Sequence, residues 1–248
     1  MVAAWLLMAS GALAQDAPMV EGPTWSEIRA SVIPEDVDPP VDGRLTLAAP
    51  ARAQDPATVP VRLVQAGDTP LTGAALVIDE NPAPVAAEFT FGPAMAPLDM
   101  ELRVRVNAYS NVRAIGTHAD GSRVMAGHFV KASGGCSAPA GKDPAAALKV
   151  MGQMRWHSTP EGSRARGKLM IRHPNNSGLQ RDQVTLLDIP AHFIDRLEVR
   201  QGDALLWRMQ AGISVSEDPV FTFLYTPNGA PIHVHAEDSN GNRWDQSF

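Results

Sequence analysis

The stretch Met100-Glu101-Leu102-Arg103-Val104-Arg105-Val106-Asn107-Ala108 alternates apolar and polar side chains at every position. Because successive side chains of a β-strand point to opposite faces, this alternation predicts a strand with one face in an apolar core. Glu101, Arg103 and Arg105 are then expected on the other face, in water. The stretch is therefore typical of a sheet that has one buried and one solvated side.

Further short strands are predicted on both sides of this stretch, separated by turn residues such as Asp120-Gly121. In the first half of the chain they are expected at residues 44–47, 59–64, 74–78, 87–91, 112–117 and 123–130. In the second half they are expected at residues 168–171, 193–200, 204–210, 220–225, 231–237 and 243–247. This number and spacing of strands predicts an all-β fold of two antiparallel sandwiches of immunoglobulin type.

The alternation stops between the two sets of strands, in a connector at residues 133–162. Within it, Asp143 followed by Pro144 has the form of a helix N-cap and first helical residue, which predicts a short helix at residues 145–154. Another short helix is expected at residues 25–31. The predicted sandwich domains are then residues 15–132 and 163–248.

Cys136, the only cysteine of the chain, lies in this connector directly after Gly134 and Gly135. A single thiol has no intramolecular disulfide partner, and glycine gives the backbone freedom. We therefore expect an exposed and mobile arm that presents a reachable sulfur nucleophile. A cysteine buried in a packed core, together with a loop that is well ordered in solution, would exclude that role.

Residues 1–14 have the pattern of a cleaved signal peptide. An apolar run at residues 2–10 is followed by Ala12-Leu13-Ala14, which has the small-x-small form of a signal-peptidase site. The run is short for a membrane span, so export with cleavage is favoured over anchoring, and a buried N-terminal helix is the alternative. The expected location is the periplasm, without membrane contact after cleavage.

Composition and missing motifs exclude several classes of function. The formal net charge is -6 and no Lys/Arg cluster runs along the chain, so nucleic acid is not an expected partner. The sequence has no Gly-rich phosphate loop after a strand, no Gly-x-Ser-x-Gly elbow and no Cys-x-x-Cys-His haem site. We therefore expect no catalytic residues and no cofactor.

His233 and His235 are candidate metal ligands. They fall on the same face of a predicted strand, and one interpretation is a copper or zinc site that Asp238 or another histidine completes. The simpler interpretation is a polar, solvent-facing side of a strand whose other side carries Ile232 and Val234. We favour the second interpretation and expect no metal.

Three stretches of the second half resemble the SoxZ subunit of the bacterial SoxYZ sulfur carrier, in order and in spacing. They are Ile171-Arg172-His173-Pro174-Asn175-Asn176-Ser177-Gly178, Ile189-Pro190-Ala191-His192-Phe193-Ile194 and Ser216-Glu217-Asp218-Pro219. The first half, which ends in Gly134-Gly135-Cys136, resembles SoxY, whose tail carries sulfur intermediates on a cysteine in a Gly-Gly-Cys-Gly-Gly arm. A fused SoxY-SoxZ chain is similar to the carriers found alongside quinoprotein alcohol dehydrogenases.

The resemblance implies a carrier that holds sulfur-containing groups as adducts on Cys136, as in thiosulfate oxidation. The partners it implies are Sox-type enzymes or a quinoprotein dehydrogenase system, and the chain itself is then a pseudo-heterodimer and no enzyme. Gly134 and Gly135 are expected to make the arm flexible. His192 is expected either to contribute to the docking surface or to support the local turn and packing.

The cysteine arm departs from the SoxY pattern in two ways. It is internal instead of terminal, and Ser137-Ala138-Pro139 replaces the second glycine pair. An internal arm enters a partner as a doubled chain, so a Sox hydrolase that accepts a single terminal tail is expected to process it poorly. The competing hypothesis is an exported binding or assembly module for a quinoprotein dehydrogenase, in which Cys136 is incidental.

Overall fold

The structure is a computed structural model that describes residues 17–34, 37–67, 69–139, 141 and 144–248. The predicted signal peptide at residues 1–14 and the predicted helix cap Asp143 lie outside the described residues. No helix of the described part is long and apolar enough to cross a membrane.

The described residues form two α-helices, a short 3-10 helix at Pro93–Met95 and fourteen β-strands, which confirms the all-β prediction. The helices are α1 (Pro23–Val32) and α2 (Pro144–Val150). The strands are, in chain order, β1 (Leu45–Ala48), β2 (Val59–Gln65), β3 (Leu71–Ile78), β4 (Val85–Phe91), β5 (Asp99–Val104), β6 (Ser110–His118), β7 (Arg123–Val130), β8 (Met154–Glu161), β9 (Arg164–Ile171), β10 (Ile194–Gln201), β11 (Ala204–Ala211), β12 (Val220–Tyr225), β13 (Ile232–Asp238) and β14 (Arg243–Ser247).

The strands are arranged in two antiparallel sheets, and each sheet takes strands from both halves of the chain. The order is β1-β2-β5-β12-β9-β8 in the six-stranded sheet and β14-β13-β10-β11-β4-β3-β6-β7 in the eight-stranded sheet. The first half contributes three strands to one sheet and four to the other, and the second half does the same. Each half is therefore a seven-stranded sandwich. The sequence predicts seven strands in the first half and six in the second, because it does not reveal β8.

The two sandwiches are joined side by side, because strands of each sheet pair across the domain boundary. β4 pairs with β11 over five residue pairs, and β5 pairs with β12 over two. Gly92 lies at this seam, where its N–H donates to the Leu206 carbonyl at 2.8 Å. A Cβ on Gly92 would lie 1.8 Å from the Leu205 carbonyl oxygen, so only glycine allows this approach. Both sheets thus continue through the boundary.

An aromatic cluster fills the space between the sheets at the seam. Trp207 of β11 is fully buried, and its ring centroid lies 5.0 Å from that of Phe221 and 5.5 Å from that of Phe223, both on β12. Phe89 of β4 meets the same indole at 6.3 Å. Burial of each such ring contributes about 1.5–3 kcal/mol, so the seam is part of one continuous core.

The second sandwich begins earlier than predicted, because β8 lies inside the range expected to be connector. β8 is an edge strand that pairs only with β9, and most of its side chains are exposed. Without a buried face it has no apolar alternation for sequence reasoning to detect, and Pro160 also disfavours a strand. The helix before it ends at Val150 instead of residue 154.

β5 is shorter than the alternating stretch that predicts it, and this difference shapes the functional site. The strand ends at Val104, and the N–H of Arg105 donates to the Ser214 carbonyl at 2.7 Å. Arg105 is only 1% exposed. The predicted solvent position of Arg105 is wrong, because the chain leaves the regular strand there and turns its side chain toward the second sandwich.

Candidate functional site

The segment around Cys136 folds back onto the protein. We call residues 133–139 the cysteine loop. Cys136 is 0% exposed and Gly135 is buried, whereas Ser133 and Ser137 on either side are exposed. The Ser137 N–H donates to the Gly134 carbonyl at 3.2 Å and closes a tight turn. The expectation of an exposed, weakly contacted cysteine is therefore wrong for this conformation, in which the loop is docked and its thiol is covered.

The first sandwich holds the loop through the residues that follow β5. The Gly134 N–H donates to the Asn107 carbonyl at 2.7 Å, and the Gly135 N–H donates to the Val106 carbonyl at 3.2 Å. The Cys136 N–H makes a longer bond, 3.4 Å, to Oδ1 of Asn107. These three bonds use main-chain donors, so the loop is positioned by its backbone.

The two glycines of the loop are required by this docked conformation. Gly134 has φ +75°, in the left-handed region that disfavours side chains. A Cβ on Gly135 would lie 2.1 Å from the Pro56 carbonyl oxygen and 2.6 Å from that of Val106. Gly134 therefore permits the tight turn and Gly135 permits close packing. The flexible role that the sequence predicts for them stays a prediction.

The second sandwich completes the site with residues at or next to the SoxZ-like stretches. Oγ of Ser177, which is buried, donates a short hydrogen bond to the Cys136 carbonyl. Nε2 of Gln180 donates to the Ala138 carbonyl at 2.9 Å. Farther along the connector, Oε2 of Glu217 accepts from the Gly141 N–H at 2.9 Å. The loop thus lies between the two sandwiches and is bound by both.

Arg105 lies at the contact between the loop and the second sandwich. Its Nη1 donates to the Gly135 carbonyl at 3.2 Å and its Nη2 donates to the Asn175 carbonyl at 3.3 Å. Its Nε is buried and has no hydrogen-bond partner within the described part of the chain. Among the described residues no carboxylate forms an ion pair with it. Together with the residues that bind the loop it makes a set that we call the cradle: Arg105, Val106, Asn107, Ser177 and Gln180.

The Cys136 thiol is uncharged in the docked loop. Burial raises the pKa of Cys136, and the positive charge of Arg105 opposes this shift without cancelling it. Since the thiolate is the reactive form of cysteine, the docked thiol is protonated and weakly nucleophilic at neutral pH. Within the described part of the chain, the hydrogen bonds of Cys136 are made by its N–H and C=O, and Sγ makes none.

A buried cluster of His173, His192 and Asp238 lies beside the cradle. Nε2 of His192 and Nε2 of His173 lie 2.7 Å and 3.3 Å from Oδ2 of Asp238. Burial acts to raise the pKa of Asp238, but hydrogen bonds led by those of Asn242 and His192 lower it to about 2. The carboxylate is therefore ionised and accepts both imidazole N–H groups. Burial also lowers the pKa of His173, which keeps this ring neutral.

This cluster has the residue types of a metal site, and its ligand atoms all lie within 4.8 Å of one another. Its hydrogen bonds nevertheless do not fit a metal. The Asn175 N–H donates to Nδ1 of His173 at 3.1 Å, so the proton of this neutral ring is on Nε2 and points at Asp238. Metal binding at Nε2 would move that proton to Nδ1, against another donor. The cluster is better described as a support for Asn175.

His192, predicted as a possible docking residue, takes part in this support. Its side chain is 13% exposed, and its main chain pairs with Asn176 at 2.8 and 3.0 Å, which joins the second SoxZ-like stretch to the first. A cavity of about 260 Å³ lies against it and is also lined by Leu148 and Leu187, both exposed. The role in local packing is thus observed, and the docking role stays a prediction.

His233 and His235 lie on the solvent side of β13, as the simpler interpretation predicts. Nδ1 of His233 lies 2.7 Å from Oγ of Ser247, and Nδ1 of His235 lies 2.7 Å from Oδ1 of Asp245. Asp238 lies on the buried side of the same strand. It cannot complete a metal shell with the two histidines.

Sequence reasoning missed the cradle. Ser177 of the cradle and the neighbouring Asn175 stand inside a stretch that resembles SoxZ, so the resemblance marks them without giving their contacts. Arg105 carried a misleading signal, since the alternation around it predicts a solvated side chain. Gln180 carried no signal, because nothing local distinguishes it from an exposed glutamine.

Comparisons with known proteins divide the chain at the same place as the fold. The family described as Sulfur oxidation protein SoxY matches residues 30–136, and the family described as Sulphur oxidation protein SoxZ matches residues 154–248. The first match ends at Cys136 and the second begins at the first residue of β8. No curated protein matches the chain. Among solved structures, the sulfur carrier protein SoxY from Chlorobium limicola f thiosulfatophilum is 23% identical over 43% of this chain and 89% of that chain, with a TM-score of 0.36.

Proposed function

Since the chain belongs to the SoxY and SoxZ families, with one domain of each in a single polypeptide, we propose that it carries sulfur-containing groups as covalent adducts on Cys136. In this proposal the chain presents the bound group to partner enzymes and does not itself catalyse the reaction. Cys136 is the covalent carrier residue, and the cysteine loop is the part that moves.

The observation that carries the proposal is that the loop is bound through its main chain and leaves the sulfur unused. Its hydrogen bonds to the cradle involve N–H and C=O groups of Gly134, Gly135, Cys136 and Ala138. Each such bond contributes a net stabilisation of about 0.5–1.5 kcal/mol. Bonds of this size allow the loop to open without unfolding either sandwich. None of them uses Sγ, so a group attached to Sγ leaves their donors and acceptors unchanged when the loop docks again.

Opening changes the reactivity of the thiol. In the docked loop burial raises the pKa of Cys136 and the sulfur is covered. In the open loop that burial is removed, so the pKa falls toward the ordinary value of about 8.5 and the thiolate fraction rises. The thiolate then attacks a sulfur atom of the donor, and the leaving group of the donor departs with the bonding electron pair. The docked form thus protects the thiol between loading steps.

The attachment of the loop limits which partners fit. On its first side Lys131 is fixed by hydrogen bonds with Ala51 and Ala53, and on its second side α2 begins at Pro144. The open loop is therefore a doubled chain, which requires a partner with a wide cleft.

We propose the periplasm as the compartment, supported by the pattern of residues 1–14. Sox-type enzymes are the proposed partners, with a quinoprotein dehydrogenase system as a further one.

The burial of Cys136 favours a second candidate function. If the loop never opens, the covered and protonated thiol is inert, and the sandwich surfaces alone act. The chain would then be an exported binding or assembly module for a quinoprotein dehydrogenase, in which the cysteine is incidental.

An adduct measurement combined with one substitution separates the two functions. Protein purified from its native periplasm is analysed by intact mass and peptide mapping, and the carrier function predicts a sulfur-containing adduct on Cys136. Cys136→Ala keeps the main-chain bonds of the loop, so it should fold and yet abolish function in the cell. Ser137→Ala, at the exposed neighbouring position, is the matched control. Full complementation by Cys136→Ala, with only free thiol in the native protein, would refute the carrier function and favour the assembly module.

A further inference from the structure

Arg105 is a buried cation that has no ion-pair partner among the described residues, and it contacts the residue that precedes Cys136. It is 1% exposed, its two hydrogen bonds go to neutral carbonyls at 3.2 and 3.3 Å, and no residue that the structure describes binds its Nε. A buried charge that is not paired is costly, and removal of one partner from a buried pair destabilises strongly. A negative group next to the Arg105 guanidinium would offset this cost, and the unloaded site has none within ion-pair distance among the described residues.

Arg113 is a second buried arginine, and unlike Arg105 it forms an ion pair. Its side chain is 6% exposed, and its guanidinium binds both carboxylate oxygens of Asp79, with the shortest contact at 2.8 Å. Around Arg105, by contrast, Glu217 and Asp55 act only at longer range. The difference between the two arginines is the missing carboxylate.

We propose that Arg105 is the countercharge for an anionic group attached to Sγ of Cys136, so that the cradle is an anion-binding subsite for the loaded loop. The group would be a sulfonate or a persulfide, whose negative oxygen or sulfur atoms accept hydrogen bonds from the guanidinium. This inference rests on the proposed function for the identity of the natural group.

The charge of Arg105 should make the docked loop more stable with an anionic adduct on Cys136 than with the neutral thiol. With a neutral thiol, Arg105 stays unpaired and the docked loop is less stable. With an anionic adduct, the guanidinium gains a charged partner in a site that excludes water, where such an interaction is strong. The loaded loop therefore docks more tightly than the unloaded one, which shields an anionic intermediate until a partner enzyme opens the loop.

Two adducts of nearly equal size test this preference, because any adduct also takes up room in the turn. Cys136 is alkylated in mild denaturant with iodoacetate or with iodoacetamide, and the full chain is then refolded. The products carry a carboxymethyl anion or a neutral carbamidomethyl group. Hydrogen exchange of the Gly134, Gly135 and Cys136 amides reports how often the loop opens. We expect exchange about tenfold slower with the anion than with the neutral adduct.

Substitutions assign the difference to Arg105. Arg105→Gln should make the two adducts exchange equally, Arg105→Lys should retain part of the difference, and Arg103→Gln, at the exposed position two residues earlier, should retain all of it. Equal exchange of the two adducts in the natural chain would refute the subsite, whether or not Arg105→Gln folds. A difference that persists in folded Arg105→Gln would also refute it. Neither result depends on whether Cys136 carries a group in the cell, so the carrier proposal stands or falls separately.

Discussion

Gly135→Ala is expected to expel the cysteine loop from the cradle. The new Cβ would lie 2.1 Å from the Pro56 carbonyl oxygen, whereas real Cβ contacts stay beyond 3.0 Å. The neighbours are backbone atoms in a packed site, so the loop must move by ~1 Å or more and loses its hydrogen bonds. Gly134→Ala is milder, because its Cβ has room and only the left-handed conformation is penalised, by about 1–2 kcal/mol. That penalty corresponds to an opening equilibrium raised roughly 5- to 30-fold.

The rate of thiol alkylation measures the opening. When the loop recloses quickly, the observed rate is proportional to the open fraction. Each variant is treated with iodoacetamide under native conditions, and its rate is divided by the rate for the same chain unfolded in urea. This ratio should rise about 5- to 30-fold in Gly134→Ala and approach one in Gly135→Ala. The alkylation midpoint of Gly135→Ala should also fall toward pH 8.5, because burial no longer raises the pKa of Cys136.

Gly121→Ala provides the control for glycine strain as such. Gly121 has φ +83° in the turn between β6 and β7, with open space around its Cα. Gly121→Ala carries the same left-handed penalty as Gly134→Ala, so it should lower the free energy of unfolding by about 1–2 kcal/mol. It should leave the alkylation ratio of Cys136 unchanged. If Gly135→Ala folds normally and its thiol stays as protected as that of the natural chain, the docked geometry and the argument from it are refuted.

Three other outcomes are expected. Ser177→Ala removes the hydroxyl that binds the Cys136 carbonyl and should raise the alkylation ratio about fivefold, whereas Ser158→Ala at the sheet edge should not. Burial lowers the pKa of His173 in the folded chain, so as the pH falls below 6.5 this histidine takes up a proton in the unfolded chain first. The free energy of unfolding should therefore decrease by up to ~1.4 kcal/mol per pH unit below pH 6.5. Urea unfolding at pH 7 and 5.5 measures this decrease, which should be smaller in His173→Gln. Ending the chain after Cys136 with two added glycines, with the second domain supplied separately, should speed release of a bound sulfur group by a Sox hydrolase, and equal turnover of two equally folded forms would contradict a steric limit.

The strands that sequence reasoning located are those whose pattern is set locally. β7 alternates between a core and an outer face, and its predicted and observed bounds are both residues 123–130. β8 could not be found this way, because it is held by hydrogen bonds to β9 while most of its side chains face water. The sharing of both sheets between the domains is likewise invisible in the sequence, since pairing of β4 with β11 depends on residues more than a hundred positions apart.

The candidate site shows the same limit more sharply. Gly134 and Gly135 were interpreted as a source of freedom, and glycine does have that property. The same absence of a side chain also permits close approach, and the choice between the two roles depends on whether a distant carbonyl, here that of Pro56, lies against the glycine. Cys136 lies in the connector that the sequence predicts, but its burial follows from residues of the second sandwich that no local pattern connects to it.

The continuous sheets have a consequence for how the protein responds to dilution. Two separate subunits joined by such a seam would dissociate as their concentration falls, and their melting temperature would depend on concentration. In one chain the seam forms within the molecule, so it survives at any dilution. Because breaking it would sever both sheets and expose Trp207, the two halves should melt together in a single concentration-independent transition. The opening of the cysteine loop that we propose would then leave both sheets intact, even in a protein molecule far from any other copy.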